Sequence, residues 1–200
     1  MKDWTGNKNS VFTTLAASNH TTSQREADDY YATDPRAIDL LLDVENFHPD
    51  IWECAAGENH MADRLRRYGF NVRTSEIVPR TPGTEVLDFL SPDISAWHGD
   101  IITNPPYKHA LRYITQALSI ITEGRKVAMF LKLQFMEGKA RKHLFTTCPP
   151  KTIYVSSSRI MCAKNGDFQG VQAGGGSAVA YAWYVWQRGY VGNTMVRWIN

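Results

Sequence analysis

An asparagine followed by two prolines and a tyrosine, Asn104-Pro105-Pro106-Tyr107, is the segment of this 200-residue sequence best suited to chemistry. Consecutive prolines cannot extend a central strand, so the chain leaves as a rigid loop. That loop presents the Asn104 side chain, the Pro105 carbonyl and the Tyr107 ring to a ligand. An exocyclic amine on a heteroaromatic ring is a poor nucleophile because its lone pair is delocalised into the ring. The Asn104 side-chain oxygen and the Pro105 backbone oxygen can each accept one N–H, draw the nitrogen toward tetrahedral geometry and aim its lone pair at an electrophile. Tyr107 can stack on the ring. A second constellation lies upstream. Gly57, flanked by Ala55 and Ala56, lets the backbone approach a ligand closely, and the following helix offers free N–H donors. Glu76 comes roughly 20 residues later, at the end of the next strand, where a carboxylate can accept two hydrogen bonds from a ribose diol. By itself Glu76 is equally a solvated strand end.

The elements needed to position these groups are legible. Pro35 follows Asp34, a good N-cap, and Ile38, Leu41, Leu42 and Val44 then mark one apolar helix face. Asp50 to Gly57 is a short strand ending in small residues; His60 to Tyr68 is a helix closed by Gly69; Val72 to Ile77 is a second strand. The strand Asp100 to Thr103 runs straight into Asn104. Ala110, Ile114, Ala117, Leu118 and Ile121 mark the next helix, and Lys126 to Phe135 is an apolar strand broken only by Lys132 and Gln134, placed at the centre of a sheet. Gly138 to Phe145 is a short basic helix. Thr152 to Ser157 is a strand, and Ala178 to Gln187 is an aromatic strand expected at the sheet edge. The alternation predicts an α/β, doubly wound, mostly parallel sheet with an antiparallel edge strand, which binds ligands beyond the carboxyl ends of its strands. Gly57 and Asn104 both fall at such ends.

Composition sets the limits. At 43% hydrophobic and 21% charged residues the chain has the makeup of an ordinary globular domain, neither collagen-like nor wholly disordered. One catalytic domain is expected over residues 27–200, after a flexible polar arm at 1–26, with the Gly-rich loop 161–177 as a candidate substrate-contact insertion. No apolar run approaches a membrane span and no signal stretch opens the sequence, so a cytoplasmic protein is expected. Cys54, Cys148 and Cys162 lack the spacing of a zinc site and are expected as small buried hydrophobes, and no metal is expected. The net charge of +2 conceals 9 Lys+Arg against 17 Asp+Glu in residues 1–100, and 13 against 3 in residues 101–200. A basic half of this kind suits a polyanion, or is an ordinary solvated surface.

On these residues the sequence resembles the S-adenosylmethionine-dependent amino-methyltransferases, most closely the DNA adenine-N6 enzymes of phages and restriction systems, over about Tyr30 to Gln187. Asn104 to Tyr107 matches the family's N-P-P-Y signature. Glu53 to Gly57, with Ala55 inside it, is similar to the cofactor loop, and Glu76 to the ribose-binding acid. Asp88-Phe89 is similar to the pair that holds the cofactor adenine, and Tyr31-Ala32-Thr33-Asp34-Pro35 to the segment at the cofactor's methionine end. Two departures stand out: Asn59 replaces a common second glycine, and Asp34 interrupts the usual Thr-Pro pair.

The resemblance implies a Rossmann-like class I fold, S-adenosylmethionine as cofactor, and in-line transfer of its methyl group to the N6 amine of adenine in DNA, with a short or relaxed target sequence. A duplex adenine must then be flipped out. Tyr107 is one wall for it, and Phe135 is either the second wall or core. Lys108, Arg112, Lys139, Arg141 and Lys142 are phosphate contacts or plain surface charges. The run Tyr181, Trp183, Tyr184, Trp186 reads as sheet packing by its period of two, ahead of a DNA-stacking stripe. Methylation of an RNA base or of a glutamine amide, and a non-catalytic nucleic-acid binder with a degenerate cofactor turn, are the alternatives.

Overall fold

The computed structural model describes residues 31–164, 166, 168–169 and 179–200; the expected arm at 1–26 lies outside them. In chain order the elements are β1 (Tyr31–Thr33), α1 (Arg36–Leu42), β2 (Asp50–Glu53), α2 (His60–Arg67), β3 (Asn71–Glu76), β4 (Glu85–Val86) and β5 (Asp100–Thr103). A 3-10 turn (Tyr107–His109) then leads into α3 (Ala110–Ile120), β6 (Lys126–Lys132), a second 3-10 turn (Leu133–Met136), α4 (Lys139–Thr147), β7 (Thr152–Ser156), β8 (Cys162–Lys164), β9 (Tyr181–Gln187) and β10 (Met195–Ile199).

Eight strands form one sheet in the order β10-β7-β9-β6-β5-β2-β3-β4. All run in the same direction except β9, which is antiparallel to β6 on one side and β7 on the other. The α/β, doubly wound, mostly parallel class is therefore as expected, but the antiparallel aromatic strand lies two strands inside the β10 edge. Burial explains the difference. Residues Tyr181 to Trp186 are all buried, and a strand apolar on both faces needs neighbours on both sides. The true edge, β10, exposes Met195, Val196 and Trp198 and carries no strong strand signature.

Alternation along β6 sorts the core into two layers. Val127, Met129 and Leu131 point to a cluster shared with Ala110, Ile114 and Ala117 of α3 and Leu144 of α4. Ala128 and Phe130 point to the opposite cluster, with Ile38 and Leu41 of α1 and Met61 and Leu65 of α2. Helices thus cover both faces, as parallel strands buried on both sides require. The N-cap of α1 is Pro35 and not Asp34, but Asp34 Oδ1 still accepts the Arg36 N–H at 2.9 Å from one residue further back.

The loop after β7 is not wholly irregular. Its Cys162–Lys164 segment pairs antiparallel with β1, placing Thr33 opposite Cys162. Because the strands are parallel, the ends of β2, β3, β5 and β6 share one edge of the sheet, and the β1–β8 ribbon packs against it. No helix among the described residues is long and apolar enough to cross a membrane. Cys54 and Cys162 are buried as expected, whereas Cys148 is exposed.

Candidate active site

Asn104 emerges from β5 with its amide held on one side only. Its Nδ2 donates to Thr33 Oγ1 at 2.9 Å and to the Tyr31 carbonyl at 3.3 Å, with Cys162 Sγ 3.9 Å away. A carbonyl only accepts, so the amide nitrogen must face Tyr31 and the oxygen must face away. That Oδ1 is buried and has no hydrogen-bond partner among the described residues. An unpaired buried acceptor costs about 1–3 kcal/mol, a cost removed when a ligand supplies the missing donor. Segments roughly seventy residues apart in the chain therefore fix an acceptor for an N–H.

A pocket opens beside this oxygen, lined by Tyr31, Thr33, Glu53, Ala55, Ala56, Glu76, Asn104, Pro105, Pro106 and Tyr107. Its empty space is ≈ 580 Å³ with the open mouth included. The turn after β2 forms its floor. Gly57 has φ 53, a left-handed conformation that glycine adopts without strain. Glu76 Oε2 accepts the Gly57 N–H at 2.9 Å and Oε1 accepts the Ile77 N–H at 2.9 Å. This carboxylate is no idle strand end: it pins the turn and keeps further lone pairs for a ligand.

Asn59 also sits in the left-handed region, at φ 64, which asparagine tolerates better than other side-chain-bearing residues. Its Nδ2 donates to Thr81 Oγ1 at 2.6 Å and Thr84 Oγ1 at 3.0 Å. The replacement of glycine thus keeps the backbone a glycine would give and adds a tie to the loop after β3. Glu53 ends β2 with its carboxyl buried and one oxygen unpartnered. Burial holds its pKa well above the usual carboxylate range, against the opposing pull of the Ala62 N–H and the Arg66 charge. Burial likewise pushes the Cys54 thiol well up, the opposite of an activated nucleophile.

Other expected residues fall elsewhere. Phe89 is fully buried between Trp52, at 5.2 Å between ring centroids, and Tyr113, at 5.1 Å; it is a core aromatic, absent from the pocket lining. Asp88 is exposed and accepts the Leu90 N–H at 2.9 Å, closing a local turn. Phe135 also packs inward, against Phe145 and Tyr184, so it forms no wall of this pocket. A strand-end aromatic that finds a helix overhead, here α4, gains more by burial than by facing solvent. Arg141 folds back onto the Glu137 carbonyl and the Phe135 ring, while Lys108 and Lys139 are exposed, away from the pocket lining.

Tyr107 does line the pocket, its ring flanked by Tyr31 at 5.8 Å and Tyr181 at 6.0 Å. Its hydroxyl is buried, and burial raises its pKa well above the ordinary phenol value. Ala32, His60, Met61, Val78 and Arg80 complete the lining. His60 was accessible to sequence reasoning, since it opens the helix directly after the Gly57 turn; Val78 and Arg80 carry no spacing signal. No cluster of metal-ligating side chains occurs among the described residues.

No protein-family model and no curated protein matches the sequence. Solved structures do match in fold. A Listeria monocytogenes protein assigned to the class I S-adenosylmethionine-dependent methyltransferases aligns over 96% of this chain and 71% of its own, with a TM-score of 0.55 and 8% identity. The M protein of the type I restriction enzyme EcoKI aligns over 84% of this chain, which spans only 46% of that protein, with a TM-score of 0.56 and 17% identity. An S-adenosylmethionine-dependent O-methyltransferase of Thermotoga maritima aligns over 80% of this chain and 66% of its own, with a TM-score of 0.50 and 16% identity. A pinned glycine turn and an acid at the end of the next strand are groups that could hold such a cofactor. The chain has the Rossmann-like fold of the class I S-adenosylmethionine-dependent methyltransferases.

Proposed function

We propose that this protein methylates the N6 amine of adenine in DNA, with S-adenosylmethionine as the methyl donor. The observation that carries the reading is the Asn104 amide, tethered through its nitrogen so that its oxygen is left unpaired at the pocket. When bound, the cofactor supplies a methyl group on a positively charged sulfur. Asn104 Oδ1 accepts one N–H of the amine and the Pro105 carbonyl the other, which localises the nitrogen lone pair and directs it at the methyl carbon. The nitrogen–carbon bond forms as the methyl–sulfur bond breaks, leaving a neutral thioether and a cationic amine; asparagine is too weak a base to keep the proton, which leaves to water. Tyr107 provides a ring wall beside the amine. Glu76 and the Gly57 turn hold the sugar of the cofactor, and the β1 segment lies at its methionine end.

DNA is favoured over other amines by the strongly basic second half of the chain and by the fold likeness to a restriction-enzyme M protein. Asn59 weighs against a non-catalytic binder, because its left-handed backbone preserves the turn that a degenerate motif would lose. The test is a nucleoside digest of DNA from cells that lack adenine methylation of their own and express this protein. N6-methyladenine is expected, in a short or relaxed sequence context. Radiolabel transferred to RNA or to protein glutamine, with none in DNA, would refute the DNA assignment.

Cofactor binding has its own expected result. Glu76→Ala frees the Gly57 turn and removes the acceptor for the ribose hydroxyls, so the calorimetric Kd for S-adenosylmethionine should rise at least about tenfold. The measurement requires protein freed of carried-over cofactor. An unchanged Kd would take Glu76 out of the site.

A further inference from the structure

The apolar strand β6 has a lysine at each end, and the two have different surroundings. At the end away from the pocket, the Lys126 ammonium pairs with Glu45 and also donates to the Asn46 carbonyl. At the pocket end, Lys132 is half-buried, and its ammonium makes no ion pair or hydrogen bond among the described residues. Its Nζ rests 4.7 Å from the centroid of the Tyr107 ring. A ring face attracts the charge but uses none of the three N–H donors.

A lysine at the end of a buried strand that served only the fold would gain from a carboxylate, as Lys126 does. Lys132 instead keeps its donors for an anion from outside. That anion does not belong to the cofactor site, because Tyr107 lines the pocket and Lys132 does not. We infer that Lys132 binds the backbone phosphate of the nucleotide whose base amine meets Asn104. The inference rests on the function proposed above and makes it narrower. A base seated against Asn104 carries its sugar and phosphate past Tyr107, where the ammonium waits, whereas a glutamine side chain or a free nucleoside brings no negative charge to that position. Lys132 thereby selects a nucleic-acid strand as the substrate class.

The experiment follows methyl transfer onto mixed-sequence duplex DNA across a series of salt concentrations, with single-stranded DNA and RNA in parallel. Lys132→Gln should raise KM about tenfold at low salt. It should also make the plot of log kcat/KM against log salt shallower by about 0.9 for a duplex, or about 0.7 for a single strand, as expected for one lost phosphate contact. The calorimetric Kd for S-adenosylmethionine and the melting temperature should stay at wild-type values, and Lys132→Arg should restore the slope. A wild-type slope in Lys132→Gln, or a cofactor Kd that rises as far as KM, would overturn the phosphate role and leave the methyltransferase reading standing. Wild-type protein that binds the cofactor but transfers to none of the three nucleic acids would overturn both.

Discussion

Asn104→Ala should lower turnover about 10²- to 10³-fold while the Kd for S-adenosylmethionine stays within about threefold of wild type. The magnitude is that of losing one preorganised polar group aimed at developing charge. The asymmetry follows from the contacts: Asn104 is bound through its nitrogen to the protein, and its free oxygen is assigned to the amine and not to the cofactor. Thr33→Val gives a finer test, since it keeps the oxygen but leaves the amide held only by the Tyr31 carbonyl and the weaker Cys162 sulfur. Its turnover should fall about tenfold, between wild type and Asn104→Ala. Single-turnover rates with saturating cofactor, together with calorimetry, separate these effects. Equal losses of turnover and cofactor affinity in Asn104→Ala would mean that the residue builds the cofactor pocket and does not act on the amine.

The rigid loop was legible because proline chemistry is local: Pro105 and Pro106 announce the end of a strand whatever surrounds them. The tether that orients Asn104 was not. Its partners lie 71 and 73 residues upstream, on a three-residue strand that is held in place by pairing with Cys162–Lys164, a segment whose sequence has no strand pattern. Non-local pairing of short strands leaves little trace in periodicity. Phe89 and Phe135 illustrate the limit from the other side. An aromatic residue at the end of a strand or in a loop has the same sequence signature whether it faces a ligand or a helix, and the deciding neighbours, Tyr113 and Phe145, belong to separate helices whose packing periodicity does not show.

The Gly57–Asn59 turn shows how a departure from a motif can be read physically. A glycine requirement is a requirement on φ, and asparagine is the residue that meets it at modest cost while bringing an amide. Here the amide reaches Thr81 and Thr84, so the substitution ties the loop that follows Glu76 to the turn that Glu76 pins. Lys132 follows the same logic in charge: what marks it, among the described residues, is the absence of the acid that Lys126 has at the other end of β6.

Trp183→Ala should destabilise the protein by about 3–5 kcal/mol, a fall in melting temperature of roughly 10 °C for a chain of this size. Trp183 is fully buried in the middle of β9; its ring packs 5.0 Å from Phe130 and its indole N–H donates to the Ala37 carbonyl at 2.9 Å. It therefore joins the one antiparallel strand of the sheet to α1, the helix that follows the Tyr31–Thr33 ribbon. Trp183→Phe separates the two contributions, because it keeps most of the ring but removes the donor, at a cost of about 1–3 kcal/mol. Thermal melts of both variants give the ranking. A melting temperature for Trp183→Ala within about 2 °C of wild type would contradict the interior position of β9 and return the aromatic run to the sheet edge, where it would again be available to stack on a nucleic acid. With β9 inside, the aromatic run is part of the core that holds the sheet together.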